Sequence, residues 1–314
     1  MRIGFGTGLL LALVAAVIWG TQFPVAKSAF PYVDAFHLTA SRYAIGVLLL
    51  LAWLVRQEGL QALRYEGRGR HAAWIGLVGM TGSPSLVFAG LMLSRPEVIA
   101  VIVATQPAMT ALAEWRMRGR RPARFTLACV AVAFVGVVTV VTRWSVTLAP
   151  HGLELVGDLM ALAGAFCWVV YTMATERFRG WSVLRFTTLT MLPGVLANLV
   201  LAGALVAAGV IAFPAGAAWQ AAAPQLAYLA VVGVVASMVM WNAGTQRIGA
   251  LNAVLFLNLI PLVTFFIGWL QGARFAPIEL AGAAAVIGAL VANNLYLRRA
   301  RAAPTGAAAS RGAS

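Results

Sequence analysis

Apolar residues do not alternate along this chain; they run on, in ten stretches broken by short polar gaps. The stretches cover about Thr7–Phe23, Asp34–Val55, Ala72–Leu93, Val98–Trp115 and Phe125–Val141, then Leu155–Ala174, Val183–Ala208, Leu226–Thr245, Leu251–Leu270 and Ile278–Leu297. A bilayer core about 30 Å thick needs roughly 20 such residues per helix, so each stretch predicts one spanning helix. The fold class expected is an all-α integral membrane protein with ten transmembrane helices. Continuous runs exclude the alternating pattern of a membrane β-barrel. The first run follows one basic residue, lacks a clear cleavage site and continues into WGTQFPVAK, so it reads as a helix and not as a cleaved signal.

The two halves of the chain resemble each other. Trp19 in AVIWGTQFPVAK lies 149 positions before Trp168 in AFCWVVYTMATE; Ala89-Gly90, Pro107 and Trp115 each lie 154 positions before Ala243-Gly244, Pro261 and Trp269. Five spans per half is an odd number, so the second copy enters the membrane from the opposite side. The expected organisation is two inverted five-helix repeats, residues 1–148 and 149–298, with a disordered basic tail over 299–314.

Composition agrees: 61% of residues are hydrophobic, 10% are charged, and mean hydropathy is +0.88. The net charge of +14 is spread between spans, without the basic patch and interleaved aromatics of a nucleic-acid surface, so no nucleic-acid partner is expected. If ten spans place both termini on one side, that side holds 18 of the 23 Lys and Arg residues, and the other holds Lys27, Arg95, Arg143 and Arg274. Under the positive-inside rule the first side is cytoplasmic, giving a multi-pass cytoplasmic (inner) membrane protein with cytoplasmic termini. Arg42 is the residue this accounting leaves over.

WGTQFPVAK, LTASRYAIG, GDLMALAGAFCWVVYTMATERF and WNAGTQRIGALNAVLFLNLIPLVTFFIGWLQGARFAPIELAG together resemble the ten-span EamA transporters of the drug/metabolite transporter superfamily. The resemblance covers nearly the whole chain. It implies a central cavity, helices five and ten at the periphery, and export of small organic metabolites, often amino acids. The chain departs from that family where a Gly-Glu pair often follows helices four and nine: it reads Gly119-Arg120 and Gly272-Ala273.

Candidate chemistry is concentrated at a few positions inside the spans. Arg42 lies roughly 12 Å below its helix end, a depth from which the side chain can snorkel. It either draws an anionic group such as a substrate carboxylate into the cavity or ties helix-end carbonyls and headgroups together. Its repeat counterpart falls near Thr190, so the charge breaks the symmetry of the halves and points to the outward mouth. Trp19, Gln22, Gln106, Trp168, Tyr171, Trp241, Asn242 and Asn258 are aromatic or amide groups suited to an uncharged or zwitterionic solute, rings giving area and amides orientation. Pro24, Pro84, Pro107 and Pro261 are candidates for kinks and gating, because a proline frees a helix carbonyl that can line a polar path; Pro193 reads as packing. Trp53, Trp74, Trp115 and Trp269 read as an interfacial belt. Asp158 and Glu114, at helix ends, could carry a coupling proton but read more simply as caps.

His37, His71 and His151 sit at helix edges or in gaps, and no nucleophile set, metal-ligand pairing or phosphate loop occurs at useful spacing, so no enzyme, metal or cofactor is expected. Cys129 and Cys167 form no CxxC pair. The expected partners are a small-molecule substrate and the lipid bilayer. A lipid or polyisoprenoid-phosphate flippase is the alternative within transport, and a ligand-gated channel lies outside it.

Overall fold

The computed structural model describes residues 2–119, 122–142, 152–174, 178, 180–248 and 254–302, and all regular structure among them is helical. The first half contains α1 (Arg2–Ala29), α2 (Ala35–Glu58), α3 (Gly69–Gly76), a π-helical segment (Leu77–Gly82), α4 (Ser83–Leu93), α5 (Pro96–Ala104), α6 (Gln106–Arg118) and α7 (Arg124–Thr142). The second contains α8 (Gly152–Ala174), α9 (Val183–Ala207), α10 (Gly216–Ala227), a second π segment (Tyr228–Ala236), α11 (Ser237–Ile248), a 3-10 turn (Val254–Asn258), α12 (Leu259–Leu270) and α13 (Pro277–Ala302).

Seven helical stretches are long and apolar enough to cross a membrane, and Phe256–Leu270 and Pro277–Asn293 are shorter apolar helices. Hydropathy alone expects one more continuous helix over Val98–Trp115, where the structure instead divides α5 from α6 at Thr105. Pro107 accounts for the break, because proline is at home in a first turn where no backbone donor is needed. Pro261, in the first turn of α12, follows the matching 3-10 turn of the second half. Two boundaries also shift. α1 continues through Pro24 to Ala29, and α10 begins at Gly216, ten residues before the expected start at Leu226, because Ala222 and Trp219 pack into the core. α13 runs past the expected tail boundary to Ala302; the rest of the tail, 303–314, and the Pro-Gly gap near residue 150 lie outside the described residues.

Helices cross where glycines let backbones touch, as interhelical packing in lipid favours. A Cβ at Gly90 would lie 2.3 Å from the Gly157 carbonyl oxygen, at the crossing of α4 with α8; one at Gly244 would lie 3.0 Å from the Gly8 carbonyl, where α11 crosses α1. Gly90 and Gly244 are 154 apart, and Gly8 and Gly157 are 149 apart, the same two offsets as the sequence repeat. Gly46 of α2 meets Val234 and Gly194 of α9 meets Met80 in the same paired manner, and α2 packs against α9 between them. α7 and α13 pair with each other through Gly136 and Gly282.

Three proline-freed carbonyls are each claimed by a side chain from elsewhere in the chain, two of them from another helix. Pro24 leaves Gly20 without its i+4 donor, and Thr264 Oγ1 donates to that carbonyl at 2.8 Å. Pro84 leaves Met80, which accepts from Asn198 Nδ2 at 2.9 Å, while Pro193 leaves Leu189, which accepts from the Tyr65 hydroxyl at 3.0 Å. An unpaired carbonyl costs several kcal/mol in hydrocarbon, so Pro24 and Pro84 are each coupled to one partner helix and Pro193 to the loop before α3. The carbonyls freed by Pro24 and Pro84 are therefore spent on helix–helix contact, and the expectation that they line a polar path gives way to one in which they join spans.

Candidate functional site

Between the halves lies a cavity in two compartments, of about 120 Å³ and about 350 Å³. Trp19, Gln106, Trp168, Met238 and Leu257 belong to both, so the compartments share a wall from both halves of the chain. The larger one reaches the exposed turn at Trp181 and Ser182; the smaller one is lined by Arg42. α7 and α13 contribute to neither lining.

The wall is built twice from one plan. Trp19 Nε1 donates to Ser237 Oγ at 2.8 Å, and its ring packs on Trp241 with centroids 4.9 Å apart. Trp168, its counterpart, stacks on Tyr171 at 5.1 Å. Gln22 lies on Gly233 and Tyr171 lies on Gly79, so that a Cβ at either glycine would meet the side chain at 3.2 and 2.3 Å. Both glycines sit in the π segments, whose extra residue per turn re-aims side chains and frees backbone groups. The π segments occupy matched places and left no mark in the hydropathy.

Arg42 departs from the expectation of a shallow, snorkelling side chain. It is 2% exposed and turned into the protein: Nη1 donates to Gln22 Oε1 at 2.9 Å, and the guanidinium lies 3.8 Å above the Phe88 ring centroid and 4.9 Å from that of Tyr43. The reason is local: Gln22 from α1 and Phe88 from α4 supply an acceptor and a π face that lipid carbonyls near the helix end would have to replace. It lines the smaller compartment, whereas the Trp181 turn lines the larger one. Thr190 occupies the matching place in the second half and approaches the Tyr171 hydroxyl at 3.4 Å.

Of the other candidate positions, Gln106, Pro84 and Pro107 line a compartment, as do Trp241 and Asn242, whose Nδ2 donates to Thr187 Oγ1 at 3.3 Å. Asn258, Pro24 and Pro261 do not. The structure adds Tyr43, Phe88, Phe178, Phe186 and Met238 to the lining, which sequence reasoning passed over, and Ser237, outside both linings, as the acceptor for Trp19; Ser237 alone carried a signal, lying 154 positions after Ser83. Asp158 is no simple cap: buried well inside α8, it accepts from Ser94 Oγ at 2.5 Å. The side chain of Glu114 lies outside the described residues.

The polar clusters at the two ends of the spans differ. At the Ser94 end, Lys27 Nζ donates to the carbonyls of Leu91, Met92 and Ser94 at 2.7, 3.0 and 2.7 Å, a cation closing the C-terminus of α4. Beside it Arg95 pairs with Glu279 at 2.6 Å. At the Trp181 end, Glu66 accepts from Trp181 Nε1 at 2.9 Å and from Arg185 Nη2 at 2.8 Å. Those bonds hold its carboxyl below the usual range, the indole N–H contributing most. The glycines that precede the missing glutamates stop helices: Gly119, in the left-handed region at φ 67°, closes α6 on the Trp115 carbonyl, and Gly272 follows α12 at φ 87°.

A multi-pass helical membrane protein whose two similar halves enclose an amphipathic cavity is the class that this fold and site define. The chain belongs to the EamA-like transporter family, which matches residues 6–142 and 155–295. It is 29% identical over 296 residues to an uncharacterized transporter, YrdR, of Bacillus subtilis, covering 93% of this chain and 92% of that one. It is 29% identical over 173 residues to the aromatic amino acid exporter YddG of Ancylobacter novellus, covering 54% of this chain and 58% of the exporter. The threonine/homoserine exporter RhtA of Escherichia coli is 29% identical over 175 residues, 54% of this chain and 52% of its own. A solved protein structure matches with a TM-score of 0.65 over 94% of this chain and 99% of its own at 21% identity, a likeness of fold alone.

Proposed function

We propose that the protein is a secondary transporter that moves a small amphipathic organic metabolite, such as an amino acid, out across the cytoplasmic membrane by alternating access. Ten spans in two inverted repeats, residues 1–148 and 149–298, rock about a shared cavity, and both termini face the cytoplasm. The observation that carries this reading is the cavity wall built from both halves, with Trp19 and Trp168 at its centre. Inverted-repeat transporters place substrate where the repeats meet, and the lopsided charge supports the orientation.

Trp19, Gln22, Arg42, Gln106, Trp168, Tyr171, Trp241 and Asn242 are the proposed substrate-binding positions, Asn258 being left out because it lines neither compartment, and the Pro24, Pro84, Pro107 and Pro261 segments are the proposed moving parts. In this arrangement the larger compartment, which reaches the Trp181 turn, lies toward the cytoplasmic side of the proposed topology. The two exporters named above lend the export direction and the amino-acid class.

Counterflow in sealed proteoliposomes tests the proposal. Labelled solute should accumulate against unlabelled solute and saturate, and Trp19→Ala should lower the rate at least tenfold. Flux that neither saturates nor shows counterflow would point to a channel and end the carrier reading.

A further inference from the structure

The chemistry of the cavity says more about its occupant than its size does. Among the described residues that line the two compartments, Arg42 is the only charged one. A guanidinium does not shed its proton at physiological pH, so a full positive charge stands in the lining of the smaller compartment, 2% exposed. Its recorded partners are neutral: the Gln22 carbonyl oxygen and the rings of Phe88 and Tyr43. Buried charges in proteins are ordinarily paired. This one lacks a carboxylate within salt-bridge distance among the described residues, and its Nε has no hydrogen-bond partner there.

The free edge of the guanidinium is also the informative one. Gln22 engages Nη1, and Nε is buried without a hydrogen-bond partner; with Nη2 it forms the fork that a carboxylate meets with two parallel hydrogen bonds once a small movement admits it. Phe88 covers one face, so an approaching anion is confined to the plane. On the far side, the shared wall and larger compartment offer Trp19, Trp168, Tyr171, Trp241 and Phe186, rings suited to an apolar or aromatic body.

The geometry points to an organic monoanion, an apolar or aromatic carboxylate, as the preferred occupant, with Arg42 as its carboxylate seat. This rests on the reading of the cavity as the transport site and sharpens it. A monoanion brings the lining to neutrality. A zwitterion of the same body leaves its ammonium facing rings and amides without an acid, and an amine adds a second buried cation.

Three probes sharing one phenylethyl body separate these cases: 3-phenylpropionate, L-phenylalanine and phenethylamine. Their binding to purified wild type in nanodiscs, read as thermal shift against concentration, should follow that order. Affinity for 3-phenylpropionate should exceed that for L-phenylalanine by roughly tenfold, the factor given by about 1.4 kcal/mol. Arg42→Gln should erase the order, and Arg42→Lys should keep the charge preference while losing the bidentate fit. The wild-type series stands whether or not the variants fold. A preference for phenethylamine, equal response to all three, no selective response to the carboxylate, or an equal response to sodium chloride would overturn the proposal. Proteoliposome flux of the same probes distinguishes the two readings: an ordered binding series with no flux ends the transporter reading and keeps the anion seat, and flux without charge order does the reverse.

Discussion

The α4–α8 crossing and the α1–α11 crossing are one structure made twice. Each brings two glycine backbones together, Gly90 on Gly157 and Gly244 on Gly8. One turn away the copies part: Ser94 donates to buried Asp158 at the first, whereas the matched positions, Ile248 and Leu9, meet as an apolar pair at the second. The cavity repeats the lesson, with Arg42 and Gln22 on one side and Thr190 and Tyr171 on the other. Backbone contact tolerates only one residue type, so glycine is retained in both copies. Side chains flanking the contact meet different neighbours in the two halves, and their chemistry has diverged.

The comparison can be broken most severely at the glycines. Gly90→Ala places a Cβ 2.3 Å from a backbone oxygen, whereas Gly244→Ala meets its nearest backbone atoms at 3.0 Å. The first should cost about 3 kcal/mol or more and the second roughly 1 kcal/mol, measured as the difference in melting temperature in detergent. Equal losses would show that the two crossings are equally tight and would remove the difference between them.

The cavity pair comes next. Gln22→Leu strips the acceptor from a buried guanidinium and should cost about 1.5–3 kcal/mol. Tyr171→Phe removes only a long contact to Thr190 and should cost under about 1 kcal/mol. A larger loss at Tyr171 in denaturant titration would mean that the second half carries the more important polar contact.

Thr264→Val, which leaves the Gly20 carbonyl freed by Pro24, should cost about 0.6 kcal/mol and up to roughly 1.7 kcal/mol. The double variant Thr264→Val with Pro24→Ala should recover part of it, because the helix then regains its own donor; no recovery would separate the threonine from the proline. The smallest effect belongs to the exposed Glu66 cluster. Because its carboxyl is held below the ordinary value of 4.5, its contribution is complete above that value and is lost as pH falls through the lower, folded-state value. Trp181 fluorescence should report the change in acid, and Glu66→Gln should flatten it.

Some of this was legible early because it rests on one-dimensional rules. Hydrocarbon thickness dictates run length, so most helices were recognisable from apolar runs, and duplication leaves fixed offsets, so Trp19 and Trp168 could be paired before their rings were placed. Arg42 stood out because a charge in an apolar run has a cost. The split at Thr105 and the early start of α10 were not legible, because proline and alanine read alike whether a helix breaks or continues; neighbouring helices decide.

The sequence by itself determined a polytopic helical protein, its repeat and the oddity of Arg42, since each follows from composition and spacing along the chain. Only the tertiary structure decided which way Arg42 turns, which side chains claim the carbonyls freed by Pro24, Pro84 and Pro193, and where the π segments fall. Those depend on partners far apart in sequence: Gln22 and Phe88 meet Arg42, and Thr264 meets Gly20, only after α1, α2, α4 and α12 have packed.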